Sequence, residues 1–246
     1  MGSVVAILSG KGGTGKTTVC AGLSIALACA EARVLCIDCD VGLRNLDISL
    51  GLTDGSALSF LDVSEGGYSL DQAARHPDYP NLAFLTAPMN QRVDRIDPEA
   101  FRNMLSMARN QFDYILLDAP AGVEGGFRLA SAAADRFIVV TGSGPAAVRD
   151  ATRVGQLLEL EGKADVRLLV NRVDKVMLSI LDQTIDDVMD AAGLPLIGVV
   201  LEDPDVPLAA ANAVSLLRYN KRSGTVKAFR RIARRIQGYP EPIKIR

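Results

Sequence analysis

Near the start of this 246-residue chain, an apolar run at residues 4–8 breaks into Gly10-Lys11-Gly12-Gly13-Thr14-Gly15-Lys16-Thr17-Thr18, and a helical pattern follows at once. No other stretch limits the fold as strongly. The glycines let the backbone curl with its N–H groups facing inward, and the start of the next helix adds partial positive charge. The spacing fits G-x-x-x-x-G-K-[ST] in the strand–turn–helix context that this motif needs. Residues 10–18 then form a cradle for a nucleoside triphosphate. Lys16 would neutralise its β- and γ-phosphates, and the Thr17 hydroxyl would ligate Mg2+.

The same letters satisfy G-x-G-x-x-G through Gly10, Gly12 and Gly15, a dinucleotide fingerprint in which Asp38 or Asp40 would bind a ribose hydroxyl. That reading leaves Lys16-Thr17-Thr18 without a purpose, whereas a triphosphate and its metal need them. A second part agrees. Tyr114-Ile-Leu-Leu-Asp118 reads as an apolar strand ending in an acid that can hold the Mg2+ hydration shell. Gly122 follows closely, where its amide can sense a γ-phosphate. Lys11 is surplus to a phosphate loop. It can reach the triphosphate of its own chain or of a neighbouring one, as an arginine finger does, or stand as an exposed loop lysine.

Strand-like runs at residues 4–9, 33–38, 82–85, 114–118, 137–141, 166–171 and 196–201 alternate with helical patterns at 17–30, 98–111, 124–134, 145–161 and 181–192. Pro98 after Asp97 and Pro145 after Gly144 mark helix starts. Strands so uniformly apolar, joined by helices, predict one α/β domain over 1–246. It is a doubly wound, mostly parallel sheet with helices on both faces and ligands at the C-terminal edge of the strands. Residues 53–80 are the least regular. They predict a short helix near 56–63 and a surface excursion containing His76 in a loop.

Composition closes other classes. The longest apolar run falls well short of the roughly 20 residues of a membrane span, and no secretory pattern opens the chain, so a cytoplasmic protein is expected. Four cysteines are too few for a disulfide scaffold at this length. Cys36-Ile-Asp-Cys39 spells C-x-x-C, but residues three apart on a strand face opposite ways. Cys20 and Cys29 lie out of phase on a helix, so all four are expected to be buried and reduced. The formal charge of −2 conceals a basic end. From Arg218 to Arg246 ten Lys/Arg stand against one acid, while the rest carries 17 basic and 28 acidic side chains. Such an end predicts attraction to an anionic surface or a solvated helix face.

Residues 11–18 resemble K-G-G-x-G-K-[ST]-[ST], the hallmark of the deviant Walker A ATPases. Within that family, Asp38-Cys-Asp-Val-Gly-Leu-Arg-Asn-Leu-Asp47, Asp118-Ala-Pro-Ala-Gly-Val-Glu-Gly-Gly-Phe127 and Ala147-Val-Arg-Asp-Ala151 are most similar to the MinD branch. The D-x-D-P-Q-G of partition ATPases is absent. Iron–sulfur carriers place cluster cysteines beyond the second acid, whereas all four cysteines here precede Asp118. The resemblance runs from about residue 4 to 238. It implies an ATPase that dimerises on Mg·ATP, with Lys11 acting across the dimer, and that places the division septum. A division inhibitor of the MinC type and an activator or topological partner are the implied partners. By position, Asp40 would orient the attacking water and Asp38 would support Lys16 and Mg2+. Asn171 and Arg172 would contact adenine, and the loop 202–205 with Pro204 would close over the other edge of the base. Arg44-Asn45 and Arg149-Asp150 would face regulatory partners, although a local ion pair explains the latter as well. A DNA-partition or other cargo-positioning ATPase is the rival reading; no specific nucleic acid is expected.

Members of the MinD branch usually end in an amphipathic anchor helix. Residues 225–237 are amphipathic, with Val226, Phe229, Ile232, Ala233 and Ile236 on one face. Their position matches the family's last domain helix, so the apolar stripe is expected in the core. The short tail 238–246 carries two prolines and cannot form an anchor helix. Basic residues near anionic lipid contribute about 1 kcal/mol each, so weak peripheral contact with the inner membrane face is the expectation.

Overall fold

The strands are apolar at consecutive positions because both of their faces are covered. In the computed structural model, which describes residues 1–41, 43–52, 57–89 and 91–243, β1 (Ser3–Leu8) sends Val4, Ala6 and Leu8 into one core and Val5 and Ile7 into the other. It is followed by β2 (Val34–Asp38), β3 (Ala74–His76), β4 (Tyr79–Leu85), β5 (Tyr114–Asp118), β6 (Arg136–Thr141), β7 (Asp165–Val173) and β8 (Leu196–Leu201). All lie in one sheet, ordered β3-β4-β2-β5-β1-β6-β7-β8. Every neighbouring pair is parallel except β3–β4. This is the doubly wound architecture expected from the alternation of strand and helix patterns.

One face is covered by α1 (Lys16–Ala28), α2 (Leu46–Leu50), α9 (Asp205–Ala211), α10 (Leu216–Tyr219) and α11 (Gly224–Ile236). The other carries α3 (Phe60–Ser64), α4 (Pro98–Gln111), α5 (Gly126–Ala133), α6 (Pro145–Leu160), α7 (Lys175–Ile180) and α8 (Ile185–Ala192). The stripe of α11 is core, as expected. Val226, Phe229, Ile232, Ala233 and Ile236 are buried, and the Phe229 ring occupies the space a Cβ on Gly22 would need, 2.2 Å from Cε2. Among the described residues no helix is long and apolar enough to cross a membrane.

Several expectations change. The helix expected over 181–192 begins only at Ile185, where Thr184 and Asp187 form a capping box, and α7 precedes it without having been expected, started by Asp174, which accepts from the Val176 and Met177 amides. His76 is not in a loop. It ends β3 in a hairpin with β4 and is buried, with Nδ1 accepting from the Asp78 amide at 3.1 Å, so Nε2 donates to the Leu50 carbonyl at 2.8 Å. The helix expected near 56–63 begins only at Phe60, capped by Ser59; residues 53–56 lie outside the described residues. Cys29 is exposed rather than buried, because it caps the last turn of α1. Of the tail, 244–246 lie outside the described residues.

Candidate functional site

From β1 the chain winds outward to either side of the sheet, so the C-terminal end of that strand opens a crevice. Residues 9–15 lie across it. Gly10 presses the loop against α6, where a Cβ would sit 2.6 Å from the Asp150 carbonyl oxygen. Gly13 and Gly15 both have φ of 81°, left-handed geometry that an L side chain resists. At Gly15 a Cβ would also lie 2.4 Å from Asn171 Nδ2, whereas around Gly12 and Gly13 the space is open. Gly15 caps α1 without any side-chain hydrogen bond, which leaves the first amides of the helix available to an anion.

Lys16 and Asp118 come together behind this loop. Lys16 Nζ lies 2.9 Å from Asp118 Oδ1, and both side chains are buried. Burial pushes the Asp118 carboxyl above its ordinary value, opposed by the charge and hydrogen bond of Lys16 and by a hydrogen bond from Thr17. Removing one member of such a pair costs about 3–5 kcal/mol, because the other charge is left buried alone. Asp38 ends β2 directly beside Asp118 in register. Burial, then the Asp118 charge, pushes Asp38 up to about 7. Its two oxygens accept from the amides of Asp40, at 2.9 Å, and Leu46, at 3.2 Å. The loop carrying Asp40 is thereby tied to the strand end at both its start and its finish. Asp40 itself is half-buried and Lys11 is exposed on the rim. The Gly122 amide differs from expectation: with φ of 94° it donates to the Ser9 carbonyl at 3.0 Å, binding the β5 loop to the loop after β1 rather than pointing at a ligand.

The end of β7 shapes the other side. Its register with β8 shifts between Val170 and Val173, and Arg172 takes φ of 56°. That irregularity turns two consecutive side chains toward the loop after β1. Asn171 Nδ2 donates to the Thr14 carbonyl at 2.8 Å, and Arg172 Nη1 donates to the Gly13 carbonyl at 3.1 Å. Glu202 holds Arg172 from the far side through Nε at 2.9 Å. Beside them opens a cavity of about 380 Å3 that begins at Gly15 and Thr18 and runs between Asn171, Arg172 and α9. Pro204 does not line it; that residue is exposed at the N-cap of α9, and Pro207, one turn along, faces the cavity instead. Glu202, in the loop expected over the base, does line the cavity, and Thr225 and Pro207, which no motif singles out, line it as well.

Cys36 and Cys39 enter opposite cores. Cys36 Sγ lies 3.7 Å from Cys20 Sγ and accepts from the Ser24 hydroxyl. A cavity of about 440 Å3 lies at the opposite edge of the sheet, but its Arg33, Arg109 and Arg136 are paired with Asp113, Asp135 and Asp165. The crevice after β1 thus joins an uncapped helix start, a buried ammonium and a hydroxyl beside a carboxylate. That set suits a phosphate chain with a divalent cation, and the adjoining cavity suits a flat base.

Residues 5–216 match the family described as the CobQ/CobB/MinD/ParA nucleotide binding domain. The septum site-determining protein MinD of Synechocystis sp. is 38% identical over 244 residues, covering 98% of this chain and 92% of that protein. Among solved structures, the MinC:MinD cell division protein complex of Aquifex aeolicus superposes with a TM-score of 0.89 at 33% identity, covering 98% of each chain. MinD of Pyrococcus horikoshii complexed with Mg-ADP superposes with a TM-score of 0.84 at 28% identity, covering 96% of each chain. Since the likeness spans nearly the full length in both sequence and fold, the chain belongs to the MinD family of nucleotide-binding proteins.

Proposed function

We propose that this chain is an ATPase that dimerises on Mg·ATP, hydrolyses it to ADP and phosphate, and uses the cycle to place the division septum. The observation that carries the reading is the buried Lys16–Asp118 pair set behind the uncapped start of α1, in a chain of this family. Residues 1–246 act as one ATPase domain. Gly10, Gly12, Gly13, Thr14, Gly15 and Thr18 shape the cradle, and Lys16 binds the β- and γ-phosphates. Bound Mg2+ would draw charge from the phosphate oxygens, held by Thr17 directly and by Asp118 through water. Asp38 anchors the loop so that Asp40 can orient the attacking water. Asn171 and Arg172 steady the loop carbonyls while bordering the base. Lys11 reaches from its exposed rim position to the phosphates of a second copy, making the dimer depend on ATP.

Such a dimer displays surfaces for a division inhibitor of the MinC type and for an activator, and hydrolysis removes them. The complex of a relative with MinC motivates the first partner. The protein works in the cytoplasm, with weak peripheral contact at the inner membrane face through the basic side of α11. Sedimentation velocity with ATP and with ADP, paired with nucleotide binding and turnover, tests the core of this reading. Wild type should dimerise with ATP alone. Lys16→Ala should bind no nucleotide, Lys11→Ala should bind ATP as a monomer, and Asp40→Ala should dimerise with turnover lowered about 100-fold. A normal ATP-dependent dimer of Lys11→Ala would overturn the cross-subunit role.

A further inference from the structure

Large apolar side chains stand in water where α7 leaves the end of β7. Val176 is 69% exposed, Met177 49%, Ile180 71% and Leu181, at the C-cap, 56%, whereas Leu178 turns into the core. With 3.6 residues per turn the four exposed positions lie within about 140° of one another, so they form one continuous face. Single exposed apolar groups need no explanation, but a contiguous face marks a contact. Its surroundings are acidic. Between residues 174 and 190, Asp174, Asp182, Asp186, Asp187 and Asp190 are exposed against one base, Lys175. That balance repels an anionic membrane and points to a protein surface as the occupant.

The place of the face in the fold selects that protein. β4, β2, β5, β1, β6 and β7 run parallel, so their C-terminal ends share one edge. The loop 9–15 lies across this edge, with Lys11 exposed on its rim. β7 delivers Arg172 to the Gly13 carbonyl and α7 begins three residues later, at Lys175. On the other side of the crevice, Leu43 beyond β2 and Met89 beyond β4 are 71% and 74% exposed. A second copy whose phosphates Lys11 reaches must cover this edge, and apolar groups flank the crevice on both sides, as the centre of a protein interface requires.

We propose that the apolar face of α7 is a contact surface for a second copy of this chain in the ATP-bound dimer. The proposal rests on the reading that the chain dimerises on Mg·ATP with Lys11 acting across the interface, and it supplies the apolar contact which that reading lacks. Removing these side chains from water favours association without any directional requirement. A two-fold interface repeats every contact, so each substitution in the face counts twice.

Dimer dissociation constants from sedimentation velocity over a concentration series with Mg·ATP test it on wild type, on the double variant Met177→Gln/Ile180→Gln and on Leu160→Gln. Glutamine keeps the helix propensity and removes the apolar surface. Leu160 is 85% exposed at the end of α6, on the opposite edge of the sheet, and serves as the control. The double variant should dimerise about tenfold to hundredfold more weakly than wild type, with ADP affinity and thermal melting unchanged, while Leu160→Gln should match wild type throughout. If melting shows the double variant unfolded, Ile180→Gln alone supplies the ratio. A variant that dimerises as tightly as wild type overturns the role of α7, and lower retention of that variant on phosphatidylglycerol vesicles would assign the face to lipid instead. Equal weakening in Leu160→Gln overturns it too, since the effect would then belong to no particular face. Wild type that stays monomeric with ATP overturns the ATP-dependent dimer itself, and this contact with it.

Discussion

Asp38 shows how much one side chain does at this site. Its carboxyl accepts two loop amides, yet it sits buried beside Asp118, and the balance raises it from 3.8 to about 7. In the unfolded chain the group loses its proton near pH 4, while in the fold it keeps the proton until about pH 7. The folded state therefore has its full benefit below pH 4 and loses it as pH rises to 7. At 1.36 kcal/mol per pH unit the loss amounts to about 4 kcal/mol. Urea denaturation of the nucleotide-free protein between pH 5 and pH 8 should show stability falling with pH, and Asp38→Asn should flatten that slope. An equal slope in the variant would locate the proton elsewhere. Lys16 and Asp118 were legible because one stands at a fixed place in a glycine loop and the other ends an apolar strand, whereas Asp38 and Asp40 drew their expected roles from the resemblance to the MinD branch. The pairing of Glu202 with Arg172 was not legible, because the two are remote in sequence but adjacent in space.

Elements were legible where their caps and periods are local. α4 and α6 begin at Pro98 and Pro145 as their sequences announce. The caps of α7 and α8 were equally present, in Asp174 and in the Thr184–Asp187 box, yet the helix expected over 181–192 leaves α7 out and starts ahead of the box. β3 had no local signal, since three residues become a strand only by pairing with β4. The packing of α1 on α11 supplies a sharper test. Gly22→Ala gains up to about 1 kcal/mol of helix propensity. It also drives a methyl into the buried Phe229 ring, at a cost of about 1–3 kcal/mol. The clash wins because the overlap falls on the ring of a buried phenylalanine, which must shift as a rigid body. Thermal unfolding should fall by about 2–6 °C in Gly22→Ala, and adding Phe229→Leu should recover part of it. Unchanged melting in the single variant would mean that the helices separate without strain.

At the scale of the whole molecule, charge and burial are divided by α11. Its apolar stripe is spent on the core, Arg235 donates to the Ile197, Glu241 and Pro242 carbonyls, and Arg234 pairs with Glu241. Lys221, Arg222, Lys227 and Arg230 remain exposed. A few cations at about 1 kcal/mol each attract an anionic surface without anchoring the protein, and pairing two copies doubles the number. Co-sedimentation should therefore be stronger on phosphatidylglycerol-rich vesicles with ATP than with ADP, and should vanish in 0.5 M salt, about the level where screening shortens to a few ångströms. Equal retention on zwitterionic vesicles would remove the electrostatic account. The amino-acid order alone determined the layered α/β architecture, the phosphate loop and the acids at the ends of β2 and β5, since each follows from periodicity or spacing over a few residues. Only the tertiary structure decided that Pro207 rather than Pro204 borders the cavity, that Gly122 is bound to Ser9, and that His76 and Thr225 are buried. Those outcomes depend on which distant segments the sheet brings side by side, and no local pattern carries that information.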